Sequence, residues 1–294
     1  MDWFALAAAL GGGILGAAIG AVPAFIFTGL LAIVGVAAAA SGSTEMIGIA
    51  FGPVFGPHIS FGGGVAAAAY AGSKGLIKTG RDVGAPLMGV GRIDVLLVGG
   101  LFGCIGWLVN AGLIRAGMKS WTDTIALTVV LTALGARLTF GKTSLFGDVP
   151  APTGRRFRPD DSATWLPWQQ NWSHLISIGI GVGLASGYLA GMSGLRQGGD
   201  VLGFGISTTI LTFLIMGQKV PVTHHMALPA AMAVTHGGGL FLAAMCGLAG
   251  ALLGEAASRV FLIHGDTHID PPAVAIAMMA TLLYVAAFVG WLPH

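Results

Sequence analysis

The chain has 294 residues, of which 9% are charged and 55% hydrophobic, with 49 glycines, a mean hydropathy of +0.84 and a formal net charge of +2. A soluble domain carries roughly a quarter charged residues, so this composition excludes a water-soluble globular core, and so small a net charge excludes nucleic acid as a partner. Apolar runs of about 20 residues without a charge make the bilayer the expected solvent.

Met1-Asp2-Trp3-Phe4 lacks the basic start of a secretory signal, so Phe4 to Val22 is expected to be a retained helix. Pro23 to Ala40 follows, then Glu45 to Gly72, Ile93 to Ile114 and Thr122 to Leu138. The stretch 140–172 holds Arg155, Arg156, Arg158, Asp160, Asp161 and the prolines 150, 152, 159 and 167, which reads as an irregular linker. Beyond it lie His174 to Met192, Val201 to Met216, Val220 to His236, Gly237 to Ile263 and Pro271 to Leu292. The two cysteines, Cys104 and Cys246, fall inside apolar segments and read as small packed hydrophobes.

Several short words recur in the same order. Gly99-Gly100-Leu101-Phe102 returns as Gly238-Gly239-Leu240-Phe241, and Gly56-Pro57-His58-Ile59 can be laid on Val222-Thr223-His224-His225. Asp123 and Asp270 each precede a final helix as N-caps. The expected fold is therefore an all-α integral membrane protein of about ten segments, with a first repeat at 1–139, a cytoplasmic linker at 140–172 and a second repeat at 173–294. Five crossings per half would make the repeats inverted. With both termini outside, eleven basic residues, among them Lys74, Arg81, Arg137, Arg155 and Arg259, fall on the cytoplasmic side. Only Arg115, Lys119 and Arg196 fall opposite, which together accounts for all 14 and follows the positive-inside rule of a cell (inner) membrane.

The third segment of each half is the anomaly. Gly52, Pro53, Gly56, Pro57 and Gly62-Gly63-Gly64 interrupt one, and Pro221 and Pro229 the other. Neither is a good continuous helix, and irregular backbone at membrane depth belongs where it is buried in protein or lines a wet cavity. His58, His224 and His225 lie in these breaks with Ser60 and Thr223 beside them, a set suited to hydrogen-bonding a solute. Gln218, Lys219, Tyr70 and His236 extend a polar path, and Glu45 is either a proton or cation site or a capping carboxylate. His264, Asp266 and His268 alternate as acid and imidazole, with a spacing that matches no specific metal motif. No Gly-x-x-x-x-Gly-Lys-Ser/Thr loop occurs, and no cofactor is expected. Small-xxx-small spacing in Ala8 to Ala21 and Gly179 to Gly191 suits close helix packing, within a subunit or in a homo-oligomer.

The five-plus-five plan with broken segments resembles the urea-transporter and ammonium-transporter architectures, and His58 with His224 is similar to the paired pore histidines of the ammonium family. The phrase from Phe51 to Tyr70 resembles that of a group of bacterial and archaeal proteins described as permeases. The permease resemblance implies no substrate; the broken segments that recur in both halves lead to the expectation of a transporter or channel for a small polar solute, with its site between the repeats near the bilayer midplane. The alternatives are a membrane-embedded enzyme on a lipid-linked substrate, and a cation or metal transporter using Glu45 and the histidines.

Overall fold

The computed structural model describes residues 2–43, 45–149, 155–157, 164–192 and 198–292; Arg158, Asp160, Asp161 and Arg196 lie outside them. Among these residues the chain is all-helical, its one β-type contact being a bridge between Gly80 and Thr267. The helices are α1 (Trp3–Ile19), α2 (Ala21–Ala40), α3 (Glu45–Ala50), α4 (Ser60–Ser73), α5 (Ile93–Arg115), α6 (Thr124–Phe140), α7 (Trp172–Ala190), α8 (Gly199–Thr209), α9 (Leu211–Ile215), α10 (His224–Thr235), α11 (Leu240–Ala257) and α12 (Pro271–Phe288).

Among the described residues five helices are long and apolar enough to cross a membrane: α2, α5, α7, α12, and α11 with the π turn Ser258–Leu262 that continues it. α1, α6 and the α8–α9 pair are shorter apolar helices. Asp2, Asp123 and Asp270 start α1, α6 and α12, each side chain accepting from the amide three residues on, at 3.0, 2.8 and 2.8 Å. A carboxylate there fills one of the unpaired amide positions and meets the positive end of the helix dipole.

The two interrupted segments complete the set. In the first, α3 ends after six residues and the chain turns irregularly through Phe51–Ile59 before α4 begins at the wholly buried Ser60. The Phe55 carbonyl freed by the turn accepts from the Thr28 hydroxyl of α2. In the second, residues 218–223 form no helix and α10 begins at His224. There Gln169 holds Val222 at both ends, accepting from its N–H at 2.9 Å and donating to its carbonyl at 3.1 Å, while the Trp168 indole donates to the Val220 carbonyl. A linker side chain thus satisfies buried backbone groups that no helix supplies.

Small residues set the packing. Gly13 of α1 lies against Gly99 and Gly103 of α5, and Gly183 of α7 against Ala243 and Gly247 of α11. α4 sits across the first pair and α10 across the second. Gly106 of α5 faces the His58 carbonyl, and Gly250 of α11 faces the His225 carbonyl; a Cβ at either position would collide with backbone. By this packing His58 corresponds to His225, one residue off the register that lays it on His224. The Gly-Gly-Leu-Phe words do not correspond either: Phe102 is 6% exposed and Phe241 79%.

α2 crosses α8 with Gly29 against Gly205, and the contact of Gly198 with Val36 shows that the two run antiparallel. α6 and α12 are antiparallel too. Trp121, ahead of α6, stacks on Phe288 at the far end of α12 (5.2 Å), and Arg137 near the end of α6 bonds Thr267, just ahead of α12. Arg137 is 1% exposed. It donates to the Thr267 hydroxyl and carbonyl and to the carbonyls of Leu145 and Phe261. Phe261 lies in the π turn and Leu145 and Thr267 lie outside the helices, and fixed guanidinium donors suit such a cluster of carbonyls. Arg156 does the same for Val260 and Arg81 for Ile263, so the described part of the linker is bound to the end of α11.

Candidate functional site

Two cavities enter the bundle and meet at its centre. One, of about 390 Å³, is lined by Lys119, Asp123, Asp200, His236 and Tyr284, then by Phe51, Val129, Leu228 and Ile276. The other, of about 700 Å³, is lined by Arg81, Asp82, Trp165, Trp168, Ile263, His268 and Pro272. The first cavity runs along α12 from Asp270 as far as Tyr284, which lies about 18 Å from Pro272 by twelve residues at 1.5 Å each, while the second lies at the amino end of that helix, with Asp270 and Pro272. Four residues line both: Phe25, Phe61, His224 and Asp270.

These four form a neck built from four elements. Phe25 (α2) has ring centroids of Phe61 (α4), Phe204 (α8) and His224 (α10) at 5.4, 5.7 and 5.0 Å, the last two edge-on. His224 is 4% exposed, and its Nδ1 has no hydrogen-bond partner. Asp270, at the amino end of α12, accepts from the Ala273 N–H at 2.8 Å and lies 3.2 Å from His268 Nε2. The His268 ring in turn stands edge-on to Phe61 at 6.2 Å. The neck therefore combines aromatic walls, one carboxylate and one imidazole, with the His268 imidazole beside it in the second cavity.

Of the residues chosen by sequence, His224 is on the neck and His236 in the first cavity, its ring against Tyr284 and its Nδ1 2.8 Å from the Met232 carbonyl. His58 lines neither cavity. It turns toward α5, where its Nε2 is 3.4 Å from the Asn110 amide nitrogen. His225 is wholly buried beside Trp165 and Gly254, both ring nitrogens unbonded. Ser60 and Thr223 are buried at the starts of α4 and α10, with the Ser60 hydroxyl 3.4 Å from the Phe55 carbonyl.

The expected path residues scatter. Glu45 is exposed on α3, Gln218 and Lys219 are exposed beyond α9, and Tyr70 donates to Asp94, which Arg92 also holds. None of these lines either cavity. The 264–268 strip does not converge: His268 faces Asp270, while Asp266 accepts from the Lys142 N–H and the Thr143 hydroxyl. His264 is buried with Nε2 unbonded, and burial, then the Arg156 charge, push its imidazole below the ordinary range. Among the described residues no three His, Cys, Asp or Glu side chains come together to hold a metal ion.

The neck aromatics were not singled out by sequence, since a phenylalanine in an apolar run carries no local mark. Asp270 was legible only as a cap. The signal that could have promoted it is that an acid at a helix start inside a membrane bundle needs a reason beyond capping.

The sequence matches a family of unknown function (DUF7973) over residues 1–157 and again over residues 158–294. No curated protein and no solved structure matches the chain.

Proposed function

We propose that this chain, which belongs to the family DUF7973, is a membrane transporter or channel for a small polar solute, built as two inverted five-segment repeats around the neck. The carrying observation is the pair of cavities that share only Phe25, Phe61, His224 and Asp270, one running along α12 as far as Tyr284 and the other lying at the amino end of that helix. Such an hourglass is what a pathway closed at its middle requires, and the neck lies at the two places where the backbone leaves helical form.

Four observations support the repeat. The family matches twice, over successive halves. The glycine contacts of α1 with α5 return in α7 with α11. α4 and α10 sit alike on those pairs. The helices that pair across the halves, α2 with α8 and α6 with α12, run antiparallel, as an axis in the membrane plane would require. The bilayer reading is supported by the exposed Trp3, Trp121, Trp172 and Trp291 near helix ends, where interfacial tryptophans belong.

The test is flux through the purified full chain in liposomes, screened with urea, ammonium, small carboxylates and amines. His224→Ala is expected to change the rate of whichever solute crosses, and Glu45→Gln, remote from both cavities, to leave it unchanged. No flux of any solute above protein-free vesicles overturns the reading.

A further inference from the structure

The neck has a more specific chemistry than a polar solute needs. Phe25, Phe61 and Phe204 are 7%, 5% and 4% exposed, with Phe25 in contact with the other two, so the walls offer ring faces and edges and no hydroxyl or amide. The ionic group on the neck itself is the Asp270 carboxylate. Its place at the amino end of α12, with the Ala273 N–H bonded to it, favours the ionised form. His224 adds an unpartnered, buried Nδ1 against the same aromatic cluster.

Charge along the approach points the same way. The 390 Å³ cavity carries the carboxylates Asp123, Asp200 and Asp270 against one ammonium, Lys119, with His224, His236 and Tyr284 as its remaining titratable groups. On the other side Arg81 stands beside Asp82, and His268 faces Asp270. An anion reaching the neck would meet a carboxylate and the negative faces of rings. A neutral solute would find few hydrogen-bonding groups. A cation with an apolar body gains from both, because ring faces attract positive charge and Asp270 balances it.

We propose that the solute is a small organic cation, an alkylammonium, its nitrogen held between Asp270 and His224 and its carbon groups against Phe25, Phe61 and Phe204. This rests on the transport reading above for the path, but the binding site can be tested by itself. Tetramethylammonium and ethylammonium, with acetamide and acetate as neutral and anionic counterparts, would be measured two ways on the full chain: equilibrium binding in detergent and flux in liposomes.

The expected result is saturable binding of the two cations, weakened at least about tenfold by Asp270→Asn and several-fold by Phe25→Leu, with no binding of acetate. Asparagine keeps the helix cap, and an unchanged thermal midpoint for Asp270→Asn would show that the loss is local. Binding of the cations without flux would keep the site and overturn the transport reading. Flux of acetamide with no cation binding would keep transport and overturn the cation. Cation binding that survives both substitutions would overturn the neck as its place.

Discussion

Gly106 and Gly250 show how a single hydrogen atom fixes the depth at which a broken segment sits. Each lets the carbonyl of a buried histidine, His58 or His225, rest on the neighbouring helix where a methyl group would strike it. Gly106→Ala is therefore expected to destabilise the protein by about 1–3 kcal/mol through overpacking. Gly112→Ala, six residues along the same helix with no atom within 4 Å of the added methyl, should be neutral or gain up to about 1 kcal/mol of helix propensity. Thermal unfolding in detergent distinguishes the two, and equal midpoints would remove the close-approach argument. The pair also explains what was legible at this scale. That the histidines lie in the breaks follows from sequence. Which imidazole faces the path does not, because it depends on the one-residue register by which α10 meets α11. Phe25 and Phe204 had no sequence signal at all, since their role comes from three other helices.

At the scale of elements, runs of apolar residues located the segments well, because length and the lack of charge are what a bilayer selects for. Gly/Pro content located both interruptions. The recurrent Gly-Gly-Leu-Phe word misled because a helix in lipid tolerates almost any apolar residue on its outer face, as the exposed Leu101, Leu240 and Phe241 show. Constraint lies instead on inner small residues such as Gly103 and Gly247. The linker was expected to be an irregular solvated stretch, and its described part is bound to the loop ahead of α12. Part of that attachment is titratable. Burial pushes Asp266 upward, but hydrogen bonds from the Lys142 N–H and the Thr143 hydroxyl outweigh it and hold the carboxyl below the ordinary carboxylate range. A group whose pKa is depressed on folding contributes stability above its unfolded value, about 3.9 for Asp, and loses it as pH falls through the lower folded value. Amide exchange over residues 141–148, corrected for its intrinsic pH dependence, should stay slow from pH 7 to about 5 and quicken below about 4. Asp266→Asn should raise exchange at neutral pH and flatten that dependence. A variant as protected and as pH-sensitive as the parent would show that the carboxylate does not hold the linker.

Across the whole molecule, the amino ends of α4 and α10 arrive at one neck, since Phe61, second residue of α4, and His224, first of α10, line both cavities. On the proposed transporter reading, two half-length helices whose amino ends meet at the neck and which lead to opposite faces require halves that enter the bilayer in opposite senses. Parallel halves would send both toward the same face. The arrangement fixes the sidedness of positions far from the neck. On the proposed five-plus-five plan, Lys142 lies opposite Asp2 and Trp291 returns to the side of Asp2. On the same plan the positive-inside rule assigns that opposite side, with its excess of basic residues at Lys74, Arg81, Arg137 and Arg259, to the cytoplasm. Single cysteines at these exposed positions, in a Cys104→Ala, Cys246→Ala background, can be probed with a membrane-impermeant maleimide on intact cells. Asp2→Cys and Trp291→Cys are expected to react from outside, and Lys74→Cys and Lys142→Cys only after permeabilisation. Labelling of Asp2→Cys and Lys142→Cys from the same side would mean an even number of crossings in the first half. The α4 and α10 ends could not then approach the neck from opposite faces, and the hourglass would have to be read as a crevice opening to one side of the membrane.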